Sequence, residues 1–386
     1  MSKRKKRGLG LILLLVLCVT GCNAVLPGKK QAEQGKKLNS IQMLIDQYYL
    51  EDTKDTEFDE GVYKGYVEQL DDPYSVYYTK KEYDELMEDD SGHYKGIGVV
   101  VSQNVATKEV MITRIFENGP AAKAGIHQYD VIAAVDGTSV ANMELSDVVK
   151  MIRGNEAETV KLTLYRNGKK KVIESERGEV ESQMVESQML DGQIGYIAMY
   201  EFIETTYDQF HQSYEELKAQ GMKGLILDLR ANPGGLLDQV QDVCDDFIPK
   251  GSVIVSTEDK QGNKEYLKAE TNSEIEVPMV VLVDGYSASA SEILAGVVKD
   301  YKIGTLMGQK TYGKGIVQRI FPLGDGSAVK LTISKYYTPS GDYIHGKGIE
   351  PDIQIKKAYI RKTGDTIEDD TWIKKAVKEL KRQFDQ

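Results

Sequence analysis

The spacing of apolar and polar positions divides the chain into regions of different period. A basic start is followed by an apolar run over residues 8–20. From Leu38 onward apolar residues recur at helical spacing, at Ile41, Leu44, Ile45, Tyr48 and Tyr49, and after a break near Asp59 at Val62, Tyr66 and Leu70. Residues 81–88 predict a further short helix. Residues 92–178 read as a small β-rich module, with strands predicted over 98–102, 110–115, 130–135 and 160–166. One helix, over 145–152, places Leu145, Val148, Val149 and Ile152 on one side. An acidic, Ser- and Gln-rich stretch, 174–191, reads as a connector with β character at its end. Strands are then predicted at 194–199, 224–229, 253–256, 279–283, 303–306 and 328–334, with helices at 206–220, 236–247 and 292–298. The end, 370–384, is an amphipathic helix carrying Trp372, Ile373, Ala376, Val377 and Leu380. The fold class expected is α+β and multidomain: a helical N-terminal region, a β-rich module and a mixed α/β core.

Candidate chemistry concentrates in residues 284–318. A run of small residues, from Ser287 through Ala288, Ser289 and Ala290 to Ser291, joins an apolar strand to an apolar helix. Such a junction sets a hydroxyl at a helix N-terminus, where free N–H groups stabilise negative charge. Helix capping alone would also explain serines there. Lys314, flanked by Gly313 and Gly315, and Gln318 four residues further on favour chemistry. A serine nucleophile needs a base. None of the four histidines, His93, His127, His211 and His345, lies in a segment prepared for that task. A buried lysine can serve instead, because desolvation disfavours its ammonium form. By alternation along the following strand, Gln318 falls on the same face as Lys314 and can hold the amine without adding charge.

These residues resemble the carboxyl-terminal processing peptidases, PDZ-containing serine proteases of family S41, whose signature is S-A-S-A-S-E followed by a G-K-G turn and a Gln. The resemblance spans nearly all of the mature chain. It implies a serine endopeptidase with Ser289 as nucleophile, Lys314 as base and Gln318 as the orienting amide. It adds an oxyanion hole from the N–H groups of Gly235, in D-L-R-A-N-P-G-G, and Ala290. It also offers Asp300 as an acidic support. Asp284 stands where the family leads us to expect Asn, and Asp342 where a basic residue is expected. The text G-P-A-A-K-A-G-I followed by D-V-I-A-A-V-D-G resembles a PDZ domain. Such a domain would take an extended peptide C-terminus beside a strand. The loop through Gly96, Ile97, Gly98 and Val99 would meet the carboxylate, and Leu145 and Val149 the tail. Arg153, ending that helix, would sense the tail or favour the helix C-terminus. The partners implied are protein or peptide substrates with free C-termini and, through L-D-D-P-Y-S and the helices before it, a second copy in a homodimer.

The signals at the start and the charge refine this picture. A basic n-region, a short apolar run and V-T-G-C resemble a bacterial lipoprotein signal, which implies cleavage before Cys22 and lipidation of that residue. The enzyme would then sit on the outer face of a cytoplasmic membrane. Losing Lys3, Arg4, Lys5, Lys6 and Arg7 takes the net charge from −11 to −16, which speaks against a nucleic-acid partner. Of three cysteines, Cys18 falls in the apolar run, so Cys244 has no internal disulfide partner. The expected units are a signal (1–22), a flexible tether (23–37), the helical region (38–91), the PDZ domain (92–178), the peptidase core (179–355) and a C-terminal helical region (356–386). No cofactor is expected and no metal: there is no H-E-x-x-H and too few cysteines for zinc. Residues 308–315, G-Q-K-T-Y-G-K-G, approach the phosphate-loop pattern but lack its final hydroxyl and lead into β-rich text, which argues against nucleotide binding. The alternative from another class is a non-catalytic PDZ scaffold for exported protein tails.

Overall fold

A computed structural model describes residues 29–54, 56–153, 159–272, 275–357 and 366–384. The chain divides after Gly61 into two units. In the first, α1 (Lys29–Tyr48) leaves Leu38, Met43, Leu44 and Tyr48 exposed. Residues 29–37, expected as a flexible tether, belong to this helix. Their Lys, Gln, Glu and Ala side chains are good helix formers, and Gly35 is a single weak position among them. Helix α2 (Phe58–Glu68) leads into the second unit.

There, strand β1 (Val76–Tyr78) and helix α3 (Lys80–Ser91) precede the small module. The helix starts on a capping box in which the Thr79 hydroxyl accepts from Glu82 N–H, and it stops on Gly92 at φ +72°. At three residues, β1 is too short to carry a period, so periodicity does not reveal it.

The β-rich module holds β2 (His93–Gly96), β3 (Val99–Gln103), β4 (Val110–Ile115), α4 (Pro120–Lys123), β5 (Val131–Val135), β6 (Thr138–Ser139), α5 (Leu145–Arg153), β7 (Thr159–Arg166), β8 (Lys169–Glu176) and β9 (Gly178–Glu181). Its main sheet runs β3-β4-β5-β7-β8, so β3 is an edge strand. Val110, Ile112, Val148, Ile152, Leu162 and Leu164 fill the core. The stretch expected as a connector is instead mostly strand. β8 closes the module's sheet, β9 pairs with β2, and the next strand, β10 (Val185–Leu190), enters the following domain. One face of β8 is solvated, so its polar composition concealed it.

The last domain is a three-layer sandwich. Its sheet contains β10, β11 (Ile194–Met199), β12 (Gly224–Asp228), β15 (Met279–Val283), β16 (Thr305–Gly308) and β19 (Ile353–Gln354) in the order β10-β11-β12-β15-β16-β19. All neighbours are parallel except β10 with β11. The runs I-G-Y-I-A-M and M-V-V-L-V are buried on both faces, which their unbroken apolar text requires. Helices α6 (Thr206–Ala219), α7 (Leu237–Asp245) and α8 (Ala290–Tyr301) cover one face. Helix α9 (Thr371–Phe384) lays Trp372, Ile373, Ala376 and Leu380 on the other. A second sheet, built from β13 (Val253–Asp259), β14 (Lys264–Lys268), β17 (Ile316–Pro322) and β18 (Ala328–Tyr337), also takes in β1. Loops at the C-terminal ends of β11, β12, β15 and β16 gather at one edge of the parallel sheet, where open α/β sheets bind their ligands.

Candidate active site

Ser289 stands at the N-terminus of α8 with φ +53° and ψ −115°, a backbone conformation that an L-residue adopts only under strain of about 1–3 kcal/mol. Its turn is fixed from below. Asp284 Oδ1 accepts from the N–H groups of Ala231, Tyr286 and Ser287, and the Ser287 hydroxyl donates to Leu229 O at 2.8 Å. One Asp284 oxygen accepts all three main-chain bonds, so Asp fills the place expected for Asn. Ser287 and Ser291 are fully buried, and the Ser291 hydroxyl donates to Asn232 O. Of the three serines in the run, Ser289 alone is partly exposed.

The loop after β12 lies against this turn. Asn232 is buried, donates to Met199 O at 2.9 Å and accepts from Gly234 N–H. A Cβ on Gly234 would meet Ser289 Cβ at 2.7 Å and Ala290 N at 2.8 Å, so only glycine admits this approach. Gly235, at φ +135°, bridges Phe202, whose oxygen a Cβ would meet at 2.1 Å. Neither the Gly235 nor the Ala290 N–H has an acceptor among the described residues. The loop is tied to α9 through Arg230, which pairs with Asp228 and Asp370 over the Trp372 ring.

The Lys314 turn is held by Glu292, fully buried in the first turn of α8. Oε2 of Glu292 accepts from Ser289 N–H at 3.0 Å and from Lys314 N–H at 2.8 Å; Oε1 accepts from Gly313 N–H at 2.7 Å and from the Thr311 hydroxyl at 2.6 Å. One carboxylate oxygen therefore clips the two main chains together, at most two hydrogen bonds apart. Glu292 was not among the expected site residues, although the spacing Ser289-x-x-Glu292 is that of a capping box and marks it in the sequence. Gly313 and Gly315 lie against the loop 343–348. Added Cβ atoms would meet Gly348 N at 2.8 Å and His345 N at 2.7 Å. His345 Nδ1 accepts from Gly315 N–H at 3.3 Å, so this histidine supports the lysine turn. After Gly315 the chain enters strand β17 and not a helix, so the phosphate-loop likeness has no structural counterpart.

The Lys314 side chain is half-buried, and its Nζ lies 4.8 Å from the centre of the Tyr74 ring. Burial, with Lys330 nearby, pushes its pKa below the ordinary lysine value, against the opposing pull of Glu292 and Asp72. Among the described residues no hydrogen bond joins Ser289 Oγ to the amine. Gln318 does not reach the amine either: its Nε2 donates to Thr332 Oγ1 at 3.3 Å. Gln318 does not share a face with Lys314 by alternation, because β17 begins only at Ile316 and a bulge intervenes between Val317 and Gln318. Asp300, expected as an acidic support, stands apart from the Ser289 turn. It lies ten residues into α8, about 16 Å along the axis from Ser289, and accepts from Ser340 N–H. The carboxylate that touches both the Ser289 and the Lys314 main chain is Glu292. A cavity of about 600 Å³ opens beside Lys314, lined by Tyr74, Ala231, Pro233, Tyr286, Ala288 and Tyr312.

In the β-rich module, Gly96 ends β2 and Val99 begins β3, with Ile97 and Gly98 between them. The Ile97 side chain is buried in the core, so only its backbone can meet a ligand. Leu145 and Val149 are half-buried on α5. Arg153 pairs with Glu88 and Asp89 of α3 and lies over Tyr94. Cys22 falls outside the described residues.

A PDZ-like module joined to a sheet that presents serine, lysine and paired free amides at one edge defines a peptidase architecture. Models of known families agree with it: peptidase family S41 matches residues 193–355, the PDZ domain residues 86–165, and the activating protease CtpB N-terminal domain residues 23–82. The carboxy-terminal processing protease CtpA of Bacillus subtilis (strain 168) is 38% identical over 347 residues, covering 89% of this chain and 74% of its own. CtpB of the same organism is 34% identical over 344 residues, covering 86% and 71%. Among solved structures, the photosystem II D1 C-terminal processing protease superposes with a TM-score of 0.50 at 30% identity, over 84% of this chain and 88% of that one. The chain belongs to peptidase family S41, as a C-terminal processing serine protease with a PDZ domain.

Proposed function

We propose that peptide-bond cleavage runs through Ser289 and Lys314. Ser289 Oγ attacks the scissile carbonyl carbon while the neutral Lys314 amine takes the hydroxyl proton. The Gly235 and Ala290 N–H groups receive the negative oxygen. The tetrahedral adduct collapses, the C–N bond breaks, and the Lys314 ammonium returns the proton to the leaving amine. Water then attacks the acyl-serine with Lys314 again as base, which frees the new carboxyl terminus and restores the hydroxyl. The observation that carries this reading is Glu292 Oε2 accepting from both Ser289 and Lys314 N–H. A substrate-bound state must bring the amine from Tyr74 to Ser289, with Gln318 turned from Thr332 toward it.

The substrate tail would lie along the free edge of β3 beside α5, between Leu145 and Val149. Its carboxylate would sit on the Ile97 and Gly98 N–H groups, which have no acceptor among the described residues. Cys22 would carry the lipid that anchors the enzyme outside the cytoplasmic membrane, and the exposed apolar side chains of α1 suit a homodimer. The deciding experiment is cleavage of fluorescent casein by Ser289→Ala and Lys314→Ala. Both are expected to be inactive with unchanged circular dichroism. Full activity in either removes that residue from the mechanism.

A further inference from the structure

We propose that Tyr74 is a positioning residue for the base: its ring face holds the protonated Lys314 amine, and cleavage requires the amine to leave that ring. The inference rests on the reading of Lys314 as base. Its geometry is independent of that reading. The Lys314 amine donates no hydrogen bond among the described residues, and the π-face of Tyr74 at 4.8 Å is its counterpart. A ring quadrupole attracts an ammonium and has little attraction for a neutral amine, so this contact selects the charged form.

The turn that carries the ring is held at its main chain, and the ring at its hydroxyl. Tyr74 N–H donates to Asp72 Oδ1 at 3.0 Å, and the Ser75 hydroxyl donates to Asp72 Oδ2 at 2.6 Å. Ser75 Oγ in turn accepts from Thr332 N–H at 3.1 Å, in the strand whose Thr332 side chain holds Gln318. The Tyr74 and Tyr312 hydroxyls lie 3.4 Å apart at the cavity beside Lys314. That contact pushes the Tyr74 phenol up to about 12, so it stays neutral near pH 7. The L-D-D-P-Y-S turn thus fixes both the ring under the base and the partner of the amide meant to orient it. The other charged or titratable groups around the amine are Tyr286 in the lining of the same cavity, Lys330 from β18, which disfavours its proton, Glu292 from α8 and Asp72 from the turn, which favour it, and His345 beneath Gly315.

The test is the acid limb of kcat/KM against pH, measured with fluorescent casein. The enzymes compared are the wild type, Tyr74→Phe, Tyr74→Leu, and a series with progressively fluorinated phenylalanine at position 74. Fluorination drains the ring face while keeping its shape, so folding is preserved. Tyr74→Phe should keep the wild-type limb. The fluorinated series and Tyr74→Leu should move it downward, by about half a unit to one unit at full fluorination. Just below the wild-type limb, kcat/KM should then rise several-fold. A limb that stays put across the fluorinated series, or moves upward, overturns the role of Tyr74. Lys314→Ala separates the two readings: if it is inactive while the limb stays put, the Tyr74 inference alone fails, and if it is active, the base assignment fails with it.

Discussion

Replacing Glu292 by Gln tests the carboxylate on which the site is built. In the native protein four donors converge on it, three of them main-chain N–H groups. Glutamine keeps the shape but turns one acceptor into an NH2 donor. With its oxygen toward Ser289 and Lys314, the NH2 faces Gly313 N–H and the Thr311 hydroxyl. The hydroxyl can rotate and accept, but the Gly313 N–H cannot. One buried main-chain donor is then unsatisfied, at about 1–3 kcal/mol. At about 2–4 °C per kcal/mol for a domain of this size, the unfolding midpoint should fall by several degrees. Glu292→Ala strands all four donors and should cost about 4 kcal/mol or more. The catalytic effect should be disproportionate, because the Ser289 strand-to-helix turn and the Lys314 turn lose their common acceptor. A displacement of about 1 Å at a reacting pair lowers rates on the order of a hundredfold. Calorimetry gives the midpoint and casein cleavage gives kcat. A Gln variant with a lowered midpoint and wild-type kcat would refute the positioning argument, leaving Glu292 a support of the fold only.

Other perturbations separate the remaining parts of the site. The like charge of Lys330 helps hold the Lys314 pKa down, so Lys330→Met should move the acid limb of the pH profile upward and lower activity at neutral pH. The difference should shrink in high salt, as screening predicts. Gly235→Ala would force a Cβ to within 2.1 Å of Phe202 O at φ +135°, displacing the N–H; kcat should drop about a hundred- to a thousandfold. Asp370→Ala leaves the half-buried Arg230 with Asp228 as its remaining carboxylate, and should destabilise the protein by about 1–3 kcal/mol, read from chemical denaturation. Val149→Arg should weaken binding of a fluorescent apolar-tailed peptide while leaving the Ser289 turn intact, as measured by active-site labelling.

Much of the architecture was present in the amino-acid order. Apolar runs such as M-V-V-L-V can be buried on both faces only in a covered parallel sheet, and the strand found there, Met279–Val283, has the expected ends. The strand Val110–Ile115 was likewise legible, because its short apolar, β-branched run puts Val110 and Ile112 into a core. The small residues around Ser289 and the glycines around Lys314 marked the site because close backbone approach excludes side chains, and the distances at Gly234, Gly313 and Gly315 show that approach. Partnership across the fold was not encoded in any local period. Gln318 could be counted onto a face, but a bulge one residue earlier changed its direction, and Thr332 took its amide. Asp300 shares a helix with Ser289, yet the rise of that helix carries it out of reach. Tyr74 lies 240 positions before Lys314 in the sequence and meets it only because three residues of β1 pair with β18. The sequence determined which backbone could form at the site, through local sterics and burial; tertiary packing alone decided which charges face each other, because that depends on contacts between distant strands.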